Sequence, residues 1–311
     1  MDLPAAPDSD DDVPRWTAEL GLPGLVDAHV HFLPERVLGK VWAYFDQAGE
    51  HYGRAWPIHY RLPEDERVAV LERLGVRRFA PLTYPHKPGM GRWLTEWAGE
   101  FADAHPEAVR TATLFPEPDV VDYLGAAVEN GARLVKSHVQ VGRYDPRDPQ
   151  LRDAWGLLAD AGVPAVVHCG NGPIPGRYTG LDVFGEVLAA HPRLRVVIAH
   201  AGLPDYAGAL ELLRRHENVL VDTTMVGTAF TEEMAPLPAH WPALLAEFPG
   251  RVVLGTDFPN IPYEYAEQLR TIHGWAAADD RLGRAFLRSV LHDAPSALLG
   301  LDSGIDTAEP E

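Results

Sequence analysis

The chain has a single cysteine, Cys169, in 311 residues. It therefore forms no internal disulfide and fits a reducing compartment. It contains no uninterrupted apolar run of about 20 residues, which predicts no membrane span. No basic stretch leads into an apolar one at its start, which predicts no secretory signal and a cytoplasmic location. No internal repeat and no linker-like segment appears.

Bases are also scarce, with 27 Lys and Arg against 45 Asp and Glu for a formal charge of −18. Half of that charge sits at the two ends, where Lys and Arg are missing. Residues 1–12 hold Asp2, Asp8, Asp10, Asp11 and Asp12, and residues 302–311 hold Asp302, Asp306, Glu309 and Glu311. Residues 1–22 and 301–311 are expected to be acidic, flexible tails around one domain at 23–300. The moderately acidic body argues against nucleic acid as a partner.

What the chain does have is a series of short β-branched runs, each ending in a polar residue. His29 and His31 close LVDAHVHF, His168 closes VPAVVHCG, His200 closes RVVIAHAG and Asp257 closes RVVLGTDFP. Eight strand candidates recur, at roughly 25–32, 76–84, 109–115, 132–140, 164–170, 195–201, 218–225 and 251–257. Helical spacing fills the gaps at 63–74, 93–104, 119–129 and 151–161, with Gly75, Gly131 and Gly162 as C-cap candidates. This rhythm predicts an α/β fold, a (β/α)8 TIM barrel. A doubly wound open sheet is the alternative, but it gathers its catalytic groups at one switch point. Here they are spread over the first, fifth, sixth and eighth strands. Residues 33–62, rich in aromatics, form an inserted lid after the first strand, and 171–180 form a loop after the fifth. Residues 281–300 form a C-terminal helical extension.

Active sites of such barrels lie at the C-terminal ends of the strands. Imidazoles and a carboxylate gathered there read as a metal-dependent hydrolytic site. His29 and His31, two apart on one strand, share a face and reach one ion. Asp27, one step deeper, suits an orienting role. Cys169 alternates away from His168 and reads as a small buried apolar residue.

The motifs DAHVHF, VVHCG, IAHAG and GTDFP, in this order, resemble the amidohydrolase superfamily, in its amidohydrolase-related branch that includes aminocarboxymuconate-semialdehyde decarboxylase. The resemblance covers most of residues 24–300. It implies that His29, His31, His168 and Asp257 bind one divalent ion, commonly zinc, with His200 beside the bound water or substrate. Manganese, iron and cobalt suit the same nitrogen and oxygen donors. It also implies that a barrel of this kind often forms a homodimer.

Such an ion lowers the pKa of its water towards roughly 7. Asp257 can take a proton from that water and return it to the leaving group, while His200 polarises a substrate carbonyl. Lys136 in RLVKSHVQ has two readings. It is a carboxylated bridge to a second metal, as in binuclear relatives, or a cation neutralising Asp27 or a substrate carboxylate. His138 is read as lining the pocket. Asn171 and Arg177, just beyond the fifth strand, are candidate substrate contacts, and Asn260 is similarly placed. The expected function is hydrolysis of an amide, ester or lactone in a small molecule. Non-oxidative decarboxylation of a small aromatic or unsaturated acid is the alternative, with Arg143, Arg177 and Lys136 available to hold the acid. A non-catalytic barrel with structural zinc fits poorly, because such sites are closed and rich in cysteine.

Overall fold

Each of the eight β-branched runs forms a strand in the computed structural model, which describes residues 3–301. They are β1 (Leu25–Val30), β2 (Val76–Pro81), β3 (Thr111–Thr113), β4 (Leu134–His138), β5 (Ala165–His168), β6 (Val196–Ile198), β7 (Val219–Asp222) and β8 (Val252–Val253). All pair in parallel, β1 with β2 and β3 through β8 in chain order. Backbone bonds close the ring on both sides. Phe79 donates to Glu107 O at 3.0 Å and accepts from Val109 at 2.9 Å, which joins β2 to the run into β3. Ala28 donates to Leu254 O at 2.9 Å and Thr256 to His29 O at 3.2 Å, which joins β1 to the segment after β8. The fold is a (β/α)8 barrel.

The strands are shorter than the apolar runs that encode them, because the last residues of several runs leave the ladder. At the end of the sixth run, His200 takes φ 54°, a left-handed conformation that no strand contains. The helices follow the sequence pattern at Glu64–Arg73, Gly91–Ala104, Val120–Glu129 and Pro149–Ala161. Gly75 and Gly162 end two of them with φ of 77° and 68°, where a Cβ would be strained.

The 33–62 insertion forms two helices, Glu35–Phe45 and Ala48–Tyr52. Both Trp42 and Trp56 donate their indole N–H groups to Asn260, at 3.0 and 2.7 Å. Asn260 thus fastens this lid to the loop after β8. The C-terminal segment is helical over Gly283–Arg288, Ser289–Asp293 and Ala294–Leu298 and packs on β1 and β8. Among the described residues no helix is long and apolar enough to cross a membrane.

The N-terminal segment departs from the flexible tail expected of it. Residues Val13–Glu19 form a helix whose Val13 and Trp16 are buried. The aspartates explain the difference, since they act as capping acceptors rather than as a solvated charge run. Asp12 accepts from the Ser9 N–H at 3.2 Å and from its hydroxyl at 3.0 Å. Asp10 accepts from Ala266 N–H at 2.9 Å, at the start of helix Tyr265–Ala278, and from the Tyr60 hydroxyl. Trp16→Ala is therefore expected to cost about 3 kcal/mol and to lower Tm by several degrees. An unchanged thermal melt would place Trp16 outside the folded core. The acidic C-terminal tail expected at 302–311 lies outside the described residues.

Candidate metal centre

Parallel pairing in register brings the strand-end side chains together. His138 sits opposite His168 across β4 and β5, and their rings stack at 4.1 Å with 14° between planes. The His200 ring lies 4.7 Å from that of His168 and 5.5 Å from that of His29, and the His29 and His31 rings are 5.1 Å apart.

His29, His31, His168 and His200 each have one ring nitrogen committed to a structural acceptor. His29 Nδ1 donates to Asp222 Oδ2 at 2.7 Å, and His31 Nδ1 to Leu82 O at 2.9 Å. His168 uses Nε2, bonded to Gly172 O at 3.0 Å, and His200 uses Nδ1, bonded to Thr224 O at 3.1 Å. A carbonyl or carboxylate partner requires the proton on that nitrogen. The other nitrogen of the neutral ring is then an electron-pair donor: Nε2 in His29, His31 and His200, and Nδ1 in His168.

His29 Nε2, His31 Nε2 and an Asp257 oxygen converge, with all three ligand atoms within 4.8 Å of one another. Asp257 Oδ1 stands 3.0 Å from His31 Nε2 and 3.3 Å from His29 Nε2. Three electron-pair donors facing one another attract positive charge, part of it supplied by Lys136 Nζ at 2.8 Å from His29 Nε2. A divalent metal ion fits this donor set. His168 and His200 adjoin the cluster, but their ring nitrogens fall outside the 4.8 Å that groups the other three ligand atoms.

Electrostatics favour the same neutral state for His29 and His168. Burial, together with the Lys136 charge, pushes His29 down to about 3, so its imidazole is neutral. Burial raises the Asp222 carboxyl, but His29, bonded to it at 2.7 Å, outweighs burial and holds the group at about 2. Burial likewise opposes ionisation of Asp257, yet the neighbouring His200, His31 and His29 hold it well below the usual carboxylate range. His138 and His168 are held well down by burial and by neighbouring imidazoles.

Two active-site residues sit in left-handed backbone, Asp257 at φ 67° and His200 at φ 54°. Such conformations are costly for non-glycine residues and persist only where the surroundings impose them. Asp257 N–H donates to His29 O at 2.9 Å, and His200 N–H donates to Asp222 Oδ1 at 2.7 Å. Gly255 is needed for another reason. A Cβ there would lie 2.4 Å from Thr224 Oγ1 and 2.8 Å from His29 Cβ. Gly255→Ala is expected to displace His29 and weaken metal retention by roughly tenfold or more, read by competition with a chelator.

Asp222 is the residue that the sequence reading missed. It ends β7 as the other polar residues end their strands, and it also accepts from Thr224 N–H at 3.1 Å. That strand-end position was its signal, though a lone aspartate leading into a turn is common. Lys136 corrects an expectation. It does not neutralise Asp27, whose oxygens are taken by the Thr256 hydroxyl at 2.6 Å, the Tyr265 hydroxyl at 2.9 Å and the His29 N–H at 3.0 Å. Burial raises Asp27 to about 7. Lys136 Nζ instead lies 2.8 Å from His29 Nε2, fully buried, with burial lowering it to about 8. His29 and Lys136 both lie behind the cavity wall rather than on it.

The cavity above the cluster has a volume of about 1280 Å³, with His31, His168, His200 and Asp257 among its walls. His138, Arg143, Arg177 and Asn260 also line it. Asn171 turns into its own loop, where its Oδ1 accepts from the Thr179 hydroxyl at 2.6 Å. Cys169 is buried in the apolar core, as expected.

A family model described as Amidohydrolase matches residues 26–301. The chain belongs to the amidohydrolase family. Solved structures share the fold. An uncharacterised TIM-barrel protein from Bordetella bronchiseptica is 18% identical with a TM-score of 0.66, covering 89% of this chain and 98% of that one. The 5-carboxyvanillate decarboxylase LigW2 from Novosphingobium aromaticivorans, solved with manganese and 3-methoxy-4-hydroxy-5-nitrobenzoic acid, is 14% identical. Its TM-score is 0.62 over 91% of this chain and 99% of that one. A probable 2-pyrone-4,6-dicarboxylic acid hydrolase from Acinetobacter baumannii, with citric acid bound, is 13% identical. Its TM-score is 0.58 over 89% and 99%. No curated protein matches the sequence. The neighbours of this family member thus include both a hydrolase and a decarboxylase by name.

Proposed function

We propose that this family member is a metal-dependent hydrolase that cleaves a C–N or C–O bond, in an amide, ester or lactone, of a small organic molecule. The observation that carries the reading is the locked set of tautomers. His29 and His31 are each fixed through Nδ1, so both present Nε2 to the same carboxylate oxygen. His29, His31 and Asp257 would hold one divalent cation. His168 would complete the set through Nδ1, since its Nε2 is committed to Gly172 O. Zinc is the first candidate and manganese, iron and cobalt are alternatives. The cation supplies a Lewis acid that polarises water or a carbonyl oxygen.

The chain's own groups then divide the work. Asp257, held ionised, accepts the proton of the attacking water as its oxygen bonds to the substrate carbonyl carbon. The same carboxyl returns that proton to the nitrogen or oxygen of the leaving group as the C–N or C–O bond breaks. His200, with Nδ1 fixed on Thr224 O, offers Nε2 as an acceptor that can orient the attacking water through its O–H.

Decarboxylation is the second reading. Arg143 and Arg177 on the cavity wall suit a carboxylate substrate, and the likeness to a 5-carboxyvanillate decarboxylase supports it. Turnover in ¹⁸O-water separates the two, together with metal analysis of wild type and His29→Ala. One equivalent of metal, lost in His29→Ala, and ¹⁸O in the product acid support hydrolysis. Release of CO₂ without ¹⁸O in the organic product assigns decarboxylation. Full turnover after complete removal of metal overturns both.

A further inference from the structure

The protein is strongly acidic, yet the charge around its large cavity is of the opposite sign. Five bases line it, Arg36, Lys40, Lys87, Arg143 and Arg177, and the only acid on its wall is Asp257 at the floor. Many arginines elsewhere on the surface are paired with carboxylates, as in Arg61–Asp46, Arg92–Asp119, Arg147–Glu186 and Arg214–Glu247, although Arg133 bonds only a backbone carbonyl. Among the described residues none of the five cavity bases forms an ion pair or a side-chain hydrogen bond. Four of them come from the segments that roof the pocket: Arg36 and Lys40 from the lid helix, Lys87 from the loop after β2 and Arg177 from the loop after β5.

Lys40 and Lys87 line the same cavity as His86, from the lid helix and from the loop after β2. Apolar surface lies on the same rim. The exposed large apolar side chains among the described residues are Tyr44, Trp93 and Ile174, at 45, 44 and 40% exposure, and all three line this cavity. Size points the same way. A cavity of roughly 150 Å³ is enough for benzene, and about 1280 Å³ is far more than a single-ring acid fills.

We propose that the rim is a second binding subsite, separate from the metal cluster, for the acid group and apolar body of an extended organic anion. Lys40, Lys87 and Arg36 hold a carboxylate, sulfonate or phosphate remote from the bond that reacts. Tyr44 and Trp93 pack against the adjoining rings or chain. The substrate class that follows is an amphipathic acid larger than one aromatic ring, its reactive carbonyl at the floor and its permanent charge at the mouth. Unpaired cations focused in a cleft also attract such an anion from solution. The proposal rests on the cavity being the substrate site and is independent of the reaction at its floor.

A matched pair of fluorescent probes tests it: 8-anilinonaphthalene-1-sulfonate and its neutral counterpart N-phenyl-1-naphthylamine, which shares the rings and lacks the sulfonate. The sulfonate probe is expected to bind one-to-one, about tenfold or more tighter than the neutral one, and to weaken with added salt. Lys40→Gln/Lys87→Gln is expected to lose about tenfold for the anion and nothing for the neutral probe. Trp93→Ala should weaken both. Arg152→Gln/Arg193→Gln, on outer surface, should change neither, and circular dichroism confirms that each variant is folded. Equal affinity for the two probes, or an unchanged anion affinity in Lys40→Gln/Lys87→Gln, overturns the proposal. Repeating the titration on chelator-treated protein separates the two readings. The rim subsite is expected to bind the anion unchanged there, whatever metal analysis says of the cluster below.

Discussion

Asp257→Asn is expected to lower turnover by about three orders of magnitude while leaving the protein folded. The substitution is chosen for its backbone. Asp257 has φ 67°, and asparagine is among the few residues that adopt this conformation without large strain. The amide keeps an oxygen that can face the His31 and His29 nitrogens, at 3.0 and 3.3 Å in the native protein. It cannot take a proton from water, so the loss should fall on kcat. Metal content should fall less steeply, because a neutral oxygen still ligates. Steady-state kinetics with elemental analysis of the same sample check this. Wild-type turnover by metal-loaded Asp257→Asn would remove Asp257 from the proton-transfer role.

Much of this arrangement was legible in the sequence because it depends on strand ends. In a parallel barrel every strand delivers its C-terminal residue to the same face. An apolar run that stops at His29, His168, His200 or Asp257 therefore names both an element and a place. The helices between were legible for a similar reason, since their apolar spacing and C-terminal glycines are local signals. Contacts between chain segments remote in sequence were not. Asp10 lies in a run of acids that reads as a solvated tail, and only the folded chain sets it against Ala266 and Tyr60. Lys136 read as a carboxylated bridge or as a cation for Asp27 or a substrate carboxylate, and only the folded chain sets it against His29. The choice depends on Thr256 and Tyr265, hydroxyls from the far end of the chain that already satisfy Asp27. The bases of the cavity rim come from separate segments as well, and their shared sign emerges only when the lid and loops meet over the strands.

Asp222 is where the same logic predicts the second large effect. Its carboxylate is fully inside the protein and accepts from the His29 ring, the His200 backbone and the Thr224 backbone. It therefore sets the His29 tautomer and, through the His200 N–H, helps hold the left-handed turn at φ 54°. In Asp222→Asn an amide NH₂ facing His29 Nδ1 donates where the carboxylate accepted. The imidazole then carries its proton on Nε2, the atom that faces Asp257 and would ligate the ion. Metal affinity is expected to fall by about 10–100-fold, and folding stability by about 1–3 kcal/mol. A chelator titration and a thermal melt on the same variant separate the two effects, and loss of affinity in protein still folded at the assay temperature assigns Asp222 a positioning role. Wild-type metal affinity in Asp222→Asn would show that His29 presents Nε2 without it, leaving Lys136, 2.8 Å away, as the group that orients the ring.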